Sequence, residues 1–314
     1  MRVPTENSEN ALGPFDRALW RRRRDRAADT LKDADFLLAE TVERICERLE
    51  DVNRSFASAA VIGAGDGRMA AALSARFGVR DVLQLEAAPA MARLAASGAP
   101  DATTIVADEE ALPLEPASLD LIVAPLTLHW VNDLPGSLIQ MRRALKPDGL
   151  LLAALFAGET LKELRAALTQ AEIDTTGGLS PRLAPMADLR DLGGLLQRAG
   201  LALPVADRET IPVSYGDPLH LMHDLRHMGE TNVLRERHKA PMRRDTLMRA
   251  LELYAATAGE DGRITATFEI AFLHGWAPDA SQQQPLRPGS ANMRLADALG
   301  TEEKPAGEKA EAPG

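Results

Sequence analysis

The stretch VIGAGDGRMAAAL, Val61 to Leu73, decides the fold. An apolar run leads into Gly63, Gly65 and Gly67, and an alanine-rich run leads out. The pattern predicts a strand, a tight turn and a helix. Glycines in such a turn let the backbone approach a ligand, and free N–H groups at a helix start can receive negative charge. A dinucleotide fingerprint would place its third glycine one residue later, where Arg68 stands. A phosphate-binding loop would need Gly-Lys-Ser/Thr, which is absent. The turn alone also suits plain strand–helix packing.

Outward from the turn, strands and helices alternate. DVLQLEAA reads as a second strand, PAMARLAASG as a helix with Pro89 in its first turn, and TTIVADEEALP as a third strand. LDLIVAPLTLHWV is a very apolar fourth strand with its loop, LPGSLIQMRRALKPDG a helix closed by a turn, and LLLAALFAG a fifth strand. This alternation predicts an α/β fold with a parallel sheet covered on both faces. Glu86 then ends the second strand, about twenty residues after the turn, where an acid can accept bonds from both ribose hydroxyls. Asp108, with Glu109 beside it, ends the third strand and can meet an adenine amino group. Three successive strand ends facing one crevice resemble the cofactor site of S-adenosyl-L-methionine (SAM)-dependent methyltransferases. Gly63, Gly65, Gly67, Glu86, Asp108 and Glu109 are the expected cofactor residues. One departure stands out: relatives of this type carry an acid two residues before the first glycine, and here that position is Val61.

The 314 residues are 45% hydrophobic but only 4% aromatic, so the core must be built from Ala, Leu and Val. A net charge of −10 argues against a nucleic-acid partner, which would need a broad basic face. The single cysteine, Cys46, excludes an internal disulfide and a Cys-based zinc cluster. MRVPTENSENALG lacks the apolar centre of a signal peptide, and no apolar run reaches membrane-span length. The expected location is cytoplasmic, with the inner face of the membrane as an alternative. The run Arg21–Arg24 with Arg26 is the sharpest basic cluster; it reads as a solvated helix face, or as a contact for an acidic partner or anionic lipid. The expected organisation is an N-terminal helical extension over 1–50 and a SAM-binding core over 51–158. A helical lid and core helix over 159–208 and C-terminal strands with a helical insertion over 209–300 follow. Residues 301–314 read as a disordered tail.

Several stretches carry a closer resemblance. They are FDRAL, the run from LDLIVAPLTLHWVNDLPG to LFAGETLKELR, GGLSPRLAPMADLRDLGGLLQRAG, LMHDLRHMGETN, RRDT and RPGSANM. Together they resemble the mitochondrial complex I assembly factors with a methyltransferase fold and their bacterial relatives, from about Phe15 to Leu299. The resemblance implies a class I SAM-methyltransferase Rossmann-like sheet, a SAM site and a protein partner, a complex I subunit. The mitochondrial member is described as a protein-arginine hydroxylase. The malonyl-carrier-protein methyltransferase of biotin synthesis is a more distant relative, sharing the glycine turn and a loop like LHWVND.

That loop, His129, Trp130, Asn132 and Asp133, supplies the candidate catalytic residues, because in this fold it flanks the reacting group. His129 could take a proton and Trp130 could stack on a cation; both could equally pack the loop. His220, His223 and His227 would share a helix face with Asp224, but they read as polar residues of an exposed helix and no metal is assigned. Three functions follow: a SAM-binding enzyme that methylates or hydroxylates a protein arginine, a carrier-protein or small-molecule methyltransferase, or a non-enzymatic assembly chaperone.

Overall fold

A computed structural model describes residues 13–283 and 295–302. RPGSANM and most of the expected tail lie outside the described residues. The chain divides into two units, Met1–Asp279 and Ala280–Gly314. In the second, Leu295–Leu299 form one short helix.

The first unit is built on a seven-stranded sheet of order β3-β2-β1-β4-β5-β7-β6. The glycine turn joins β1 (Ser58–Ile62) to α3 (Arg68–Phe77). Next come β2 (Asp81–Glu86), α4 (Pro89–Gly98), β3 (Thr103–Val106), β4 (Leu119–Pro125), α5 (Leu134–Ala144) and β5 (Leu145–Phe156). These five strands are parallel. β1 and β4 bury both faces, and alternate residues feed opposite layers: Ala59, Val61, Leu121 and Val123 enter one core, Ala60, Ile62, Ile122 and Ala124 the other.

The five alternating strands are parallel as expected, and two later strands extend the sheet at its far edge. β7 (Ile264–Trp276) lies between β5 and β6 (Ala202–Tyr215) and runs antiparallel to both. Its first residue, Ile264, pairs with the last of β6, Tyr215. The two strands are therefore a hairpin whose connection, residues 216–263, carries α8 (Pro218–His227) and α9 (Arg244–Ala255). The connection brings the chain back into the sheet at the end where β6 left it, so β7 runs back along β6. Between β5 and β6 lie α6 (Lys162–Thr176) and α7 (Leu189–Arg198).

Ahead of the sheet come α1 (Arg17–Ala27), capped by Asp16, and α2 (Phe36–Glu50). α2 buries Leu37, Val42, Ile45, Cys46 and Leu49 on one face at helical spacing. α1 buries Arg17, Trp20, Arg24 and Ala27. A helix that buries two arginines needs carboxylates waiting for them, and these are at the carboxyl ends of the strands. Among the described residues no helix is long and apolar enough to cross a membrane.

Candidate active site beneath the first helix

The three glycines of the turn all have positive φ: +70° at Gly63, +60° at Gly65 and +87° at Gly67. A Cβ on Gly63 would stand 2.4 Å from Thr127, and one on Gly67 2.4 Å from the carbonyl of Ala95. These two glycines let β4's loop and α4 close on the turn. Gly65 is the one that borders a cavity, and its N–H donates to Glu86 Oε2 at 3.2 Å. Turn and carboxylate thus face one point, at the ends of adjacent strands.

At that point stands an arginine. Arg24 Nε donates to Glu86 Oε1 at 2.7 Å and its terminal nitrogen to Oε2 at 2.8 Å, a two-pronged pair with Glu86 fully buried. Glu86 raises the Arg24 pKa in spite of the burial that opposes it. Arg17 reaches the next strand end. It donates to Asp108 at 2.7 Å and to Glu109, and to the carbonyl of Trp130 at 3.2 Å. Arg21 also donates to Asp108. Burial works against ionisation of Asp108, but Arg17 and the N–H of Glu110 outweigh it and hold the carboxyl below its usual range. Glu109 goes the other way: burial raises it, Arg17 offsets only part, and Glu86 adds to the rise. Glu109 also accepts from Thr127 Oγ1 at 3.1 Å.

Glu86, Asp108 and Glu109 therefore do converge, together with the turn. The basic run does not form one solvated face. Arg17, Arg21 and Arg24 point inward onto the carboxylates, while Arg22 and Arg26 are exposed. The signal was present in the spacing i, i+4, i+7, which puts three arginines on one helical stripe. Their partners, more than sixty residues away, left no local trace.

The loop after β4 lies against this cluster. His129 is almost wholly buried, its ring packed on Phe156 (centroids 4.8 Å apart) and Trp130 (5.3 Å). Its Nε2 lies 3.0 Å from Glu230 Oε2, and Trp130 Nε1 donates to the same oxygen at 2.7 Å. An ionised carboxylate can only accept, so the proton of neutral His129 sits on Nε2. Nδ1 is then a bare lone pair, and it is buried without a partner. Glu230, just past α8, is the residue the sequence reading missed; GETN lay within a quoted motif, but nothing local tied it to LHWVND. Asn132 exchanges two hydrogen bonds with the backbone of Phe15, at 2.9 and 3.2 Å, and so pins the entry to α1. Asp133 caps α5 through the N–H of Gly136 at 2.9 Å. Leu126, just past β4, holds the left-handed conformation (φ 48°), a strained backbone for leucine.

His220, His223 and His227 fall on α8 as expected of a helix. Among the described residues no group of three or more His, Cys, Asp or Glu side chains is placed to hold a metal ion.

The residue types suit an adenosine-bearing ligand, but the arrangement leaves no room for one. Arg24, Gly65, Leu38, Leu126, Phe156 and Glu230 border a gap of about 40 Å³, against the roughly 300–1,000 Å³ of small-molecule sites. Arg17 and Arg24 engage the carboxylates that the sequence led us to expect at ribose and adenine.

Comparison with known proteins agrees with this architecture. Residues 60–153 match the methyltransferase domain family. The mitochondrial arginine-hydroxylase NDUFAF5 of Danio rerio is 38% identical over 294 residues, spanning 93% of this chain and 91% of that protein. A malonyl-[acyl-carrier protein] O-methyltransferase of Methylovorus is 35% identical over 275 residues, 85% of this chain and 90% of that one. Among solved structures, the YcgJ protein of Bacillus subtilis shares the fold with a TM-score of 0.53 at 16% identity, covering 78% of this chain and 99% of that chain.

Proposed function

The chain belongs to the family of the methyltransferase-fold arginine-hydroxylases named NDUFAF5, and from that premise we propose that it is a SAM-binding enzyme that modifies an arginine of a protein, a subunit of respiratory complex I during assembly. The observation that carries the reading is the convergence of Glu86 with the N–H of Gly65, beside the Asp108 and Glu109 carboxylates. In this proposal Glu86 holds the ribose hydroxyls and Asp108 the adenine amino group, after α1 has given up both carboxylates. SAM would supply an activated methyl group. The chain's own contribution lies in the loop after β4. Glu230 orients His129, and its Nδ1, buried while α1 is in place, would take the proton that a guanidinium nitrogen loses as it is modified, once α1 has moved aside. Trp130, held by Glu230 and now packed against Phe15, would offer a ring to the same cation once α1 has moved.

Calorimetric titration with S-adenosylhomocysteine tests the site. Glu86→Ala is expected to weaken binding at least tenfold, and Arg24→Ala to strengthen it by removing the competitor for Glu86. If neither variant differs from the parent chain, these carboxylates do not hold the cofactor. Peptide mass spectrometry of complex I subunits, with and without this gene, reads the reaction. A residue that loses one oxygen's mass in the deletion is hydroxylated; one that loses a methylene's mass is methylated. The likeness to the malonyl-[acyl-carrier protein] O-methyltransferase carries a second reading, methylation of a carrier-bound acid, which unchanged subunits would favour.

A further inference from the structure

On the other flank of α1 lies a larger, open cavity of about 790 Å³. Six cations line it: Arg23 and Arg26 of α1, Arg182 of the loop before α7, Arg226 of α8, and Arg237 and Lys239 beyond it. His227 and His238 add two rings, and no Asp or Glu is among its described lining residues. Arg26 stands about 200° round the helix from Arg24, so one helix presents arginines to two different places.

Three of the six are tied down. Arg182 pairs with the buried Glu172. Arg237 lies 3.7 Å from Asp16 and donates to the carbonyl of Leu234 at 2.7 Å. Arg23 donates to Thr231 Oγ1 at 2.9 Å and to the carbonyl of Asn232. The side chains of Arg26, Arg226 and Lys239 have no hydrogen bond or ion pair with any described residue. The crowding is felt: burial, then Arg237, Arg26 and Arg226, push the Arg23 pKa down against the opposing charge of Asp16.

Gathering so many cations in a chain of net charge −10 costs repulsion that an anion would relieve. A concave wall of one sign also concentrates oppositely charged ligands. The volume is that of a small-molecule site. Guanidinium forks from three directions match phosphate oxygens, which they bind two at a time. Three unpaired cations exceed the charge of one phosphate, and Ala27, Pro241 and Met242 leave an apolar strip for the rest of a ligand. We propose that this cavity is a binding site for a small ligand carrying two or more phosphate groups. None of its lining residues is Glu86, Asp108 or Glu109, although Arg23 and Arg26 share α1 with Arg24.

The test is calorimetric titration of the full chain with inorganic pyrophosphate as probe, orthophosphate as the single-phosphate control, and a hexaglutamate peptide as competitor. Pyrophosphate is expected to bind at one site, at least tenfold more tightly than orthophosphate. Arg226→Glu and Lys239→Glu are each expected to weaken it at least tenfold. Both side chains are exposed, and an unchanged melting temperature shows that each variant folds; Arg226→Gln and Lys239→Gln give smaller losses in the same direction. Arg190→Glu, an exposed charge on α7 outside the cavity, changes nothing. The proposal is overturned if pyrophosphate binds no better than orthophosphate, or if Arg190→Glu costs as much as the cavity variants. It is equally overturned if hexaglutamate binds more tightly than pyrophosphate, which would make the cavity a dock for an acidic protein segment.

Discussion

At the scale of single residues, the glycine turn separates backbone strain from packing. Gly63 and Gly78 have nearly the same φ, +70° and +65°. An alanine at Gly78 meets nothing within 4 Å, whereas at Gly63 its Cβ would stand 2.4 Å from Thr127. Gly78→Ala is expected to cost about 1–2 kcal/mol, the price of a left-handed residue. Gly63→Ala adds a clash of about 1–3 kcal/mol. Urea unfolding of the two variants reads the difference directly. Asp108 gives a pH-dependent case. Its carboxyl is held below the usual range in the folded chain, so the stability it contributes is complete above the ordinary aspartate value, about 3.9, and is lost as pH falls through the lower folded value. Asp108→Asn is therefore expected to destabilise by about 1–3 kcal/mol at neutral pH. The gap to the parent chain should close below about pH 4 in denaturant titrations across pH. Glu109, raised by burial, contributes with the opposite sign: its share is lost as pH rises.

At the scale of elements, α1 is held from both ends by long-range bonds. Phe15 pairs with Leu234 and its backbone is clasped by Asn132, while Arg17 and Arg24 anchor the helix to β3 and β2. Asn132→Ala removes both bonds to Phe15 and should loosen the entry to α1 by about 1–2 kcal/mol. Hydrogen exchange is expected to quicken about 5- to 30-fold over Arg17–Ala27 and to stay unchanged in β4 and β5. Equal quickening everywhere would mean that α1 opens only with the whole domain. The same anchoring explains why the candidate cofactor site is closed. Arg24 neutralises the fully buried Glu86, and breaking that pair on one side would cost about 3–5 kcal/mol. A ligand that opens α1 must supply comparable bonds to Glu86 and Asp108.

At the scale of the molecule, Cys46 reports on the integrity of the main core. It is fully buried on α2, and burial, with Glu43, Glu50 and Glu47 adding to it against Arg76, pushes its thiol up to about 11. A thiol reagent at pH 8 is expected to leave the folded chain untouched. Labelling should appear at the same urea midpoint as the loss of helical circular dichroism. Labelling at lower urea would show that α2 detaches before the sheet unfolds.

Hydrophobic alternation and glycine placement made five parallel strands, their covering helices and the strand-end positions of Glu86 and Asp108 legible in the amino-acid sequence. These depend on periodicity and on which end of a strand a residue occupies, both of which are local. The tertiary structure alone decided three matters. β7 enters antiparallel between β5 and β6. Arg17 and Arg24 face inward because carboxylates lie across the crevice. Glu230 joins His129 and Trp130 across a hundred residues of chain. Each is a pairing between distant segments, and the free energy of a buried ion pair or a shared carboxylate belongs to the pair, so neither partner's own surroundings in the sequence record it.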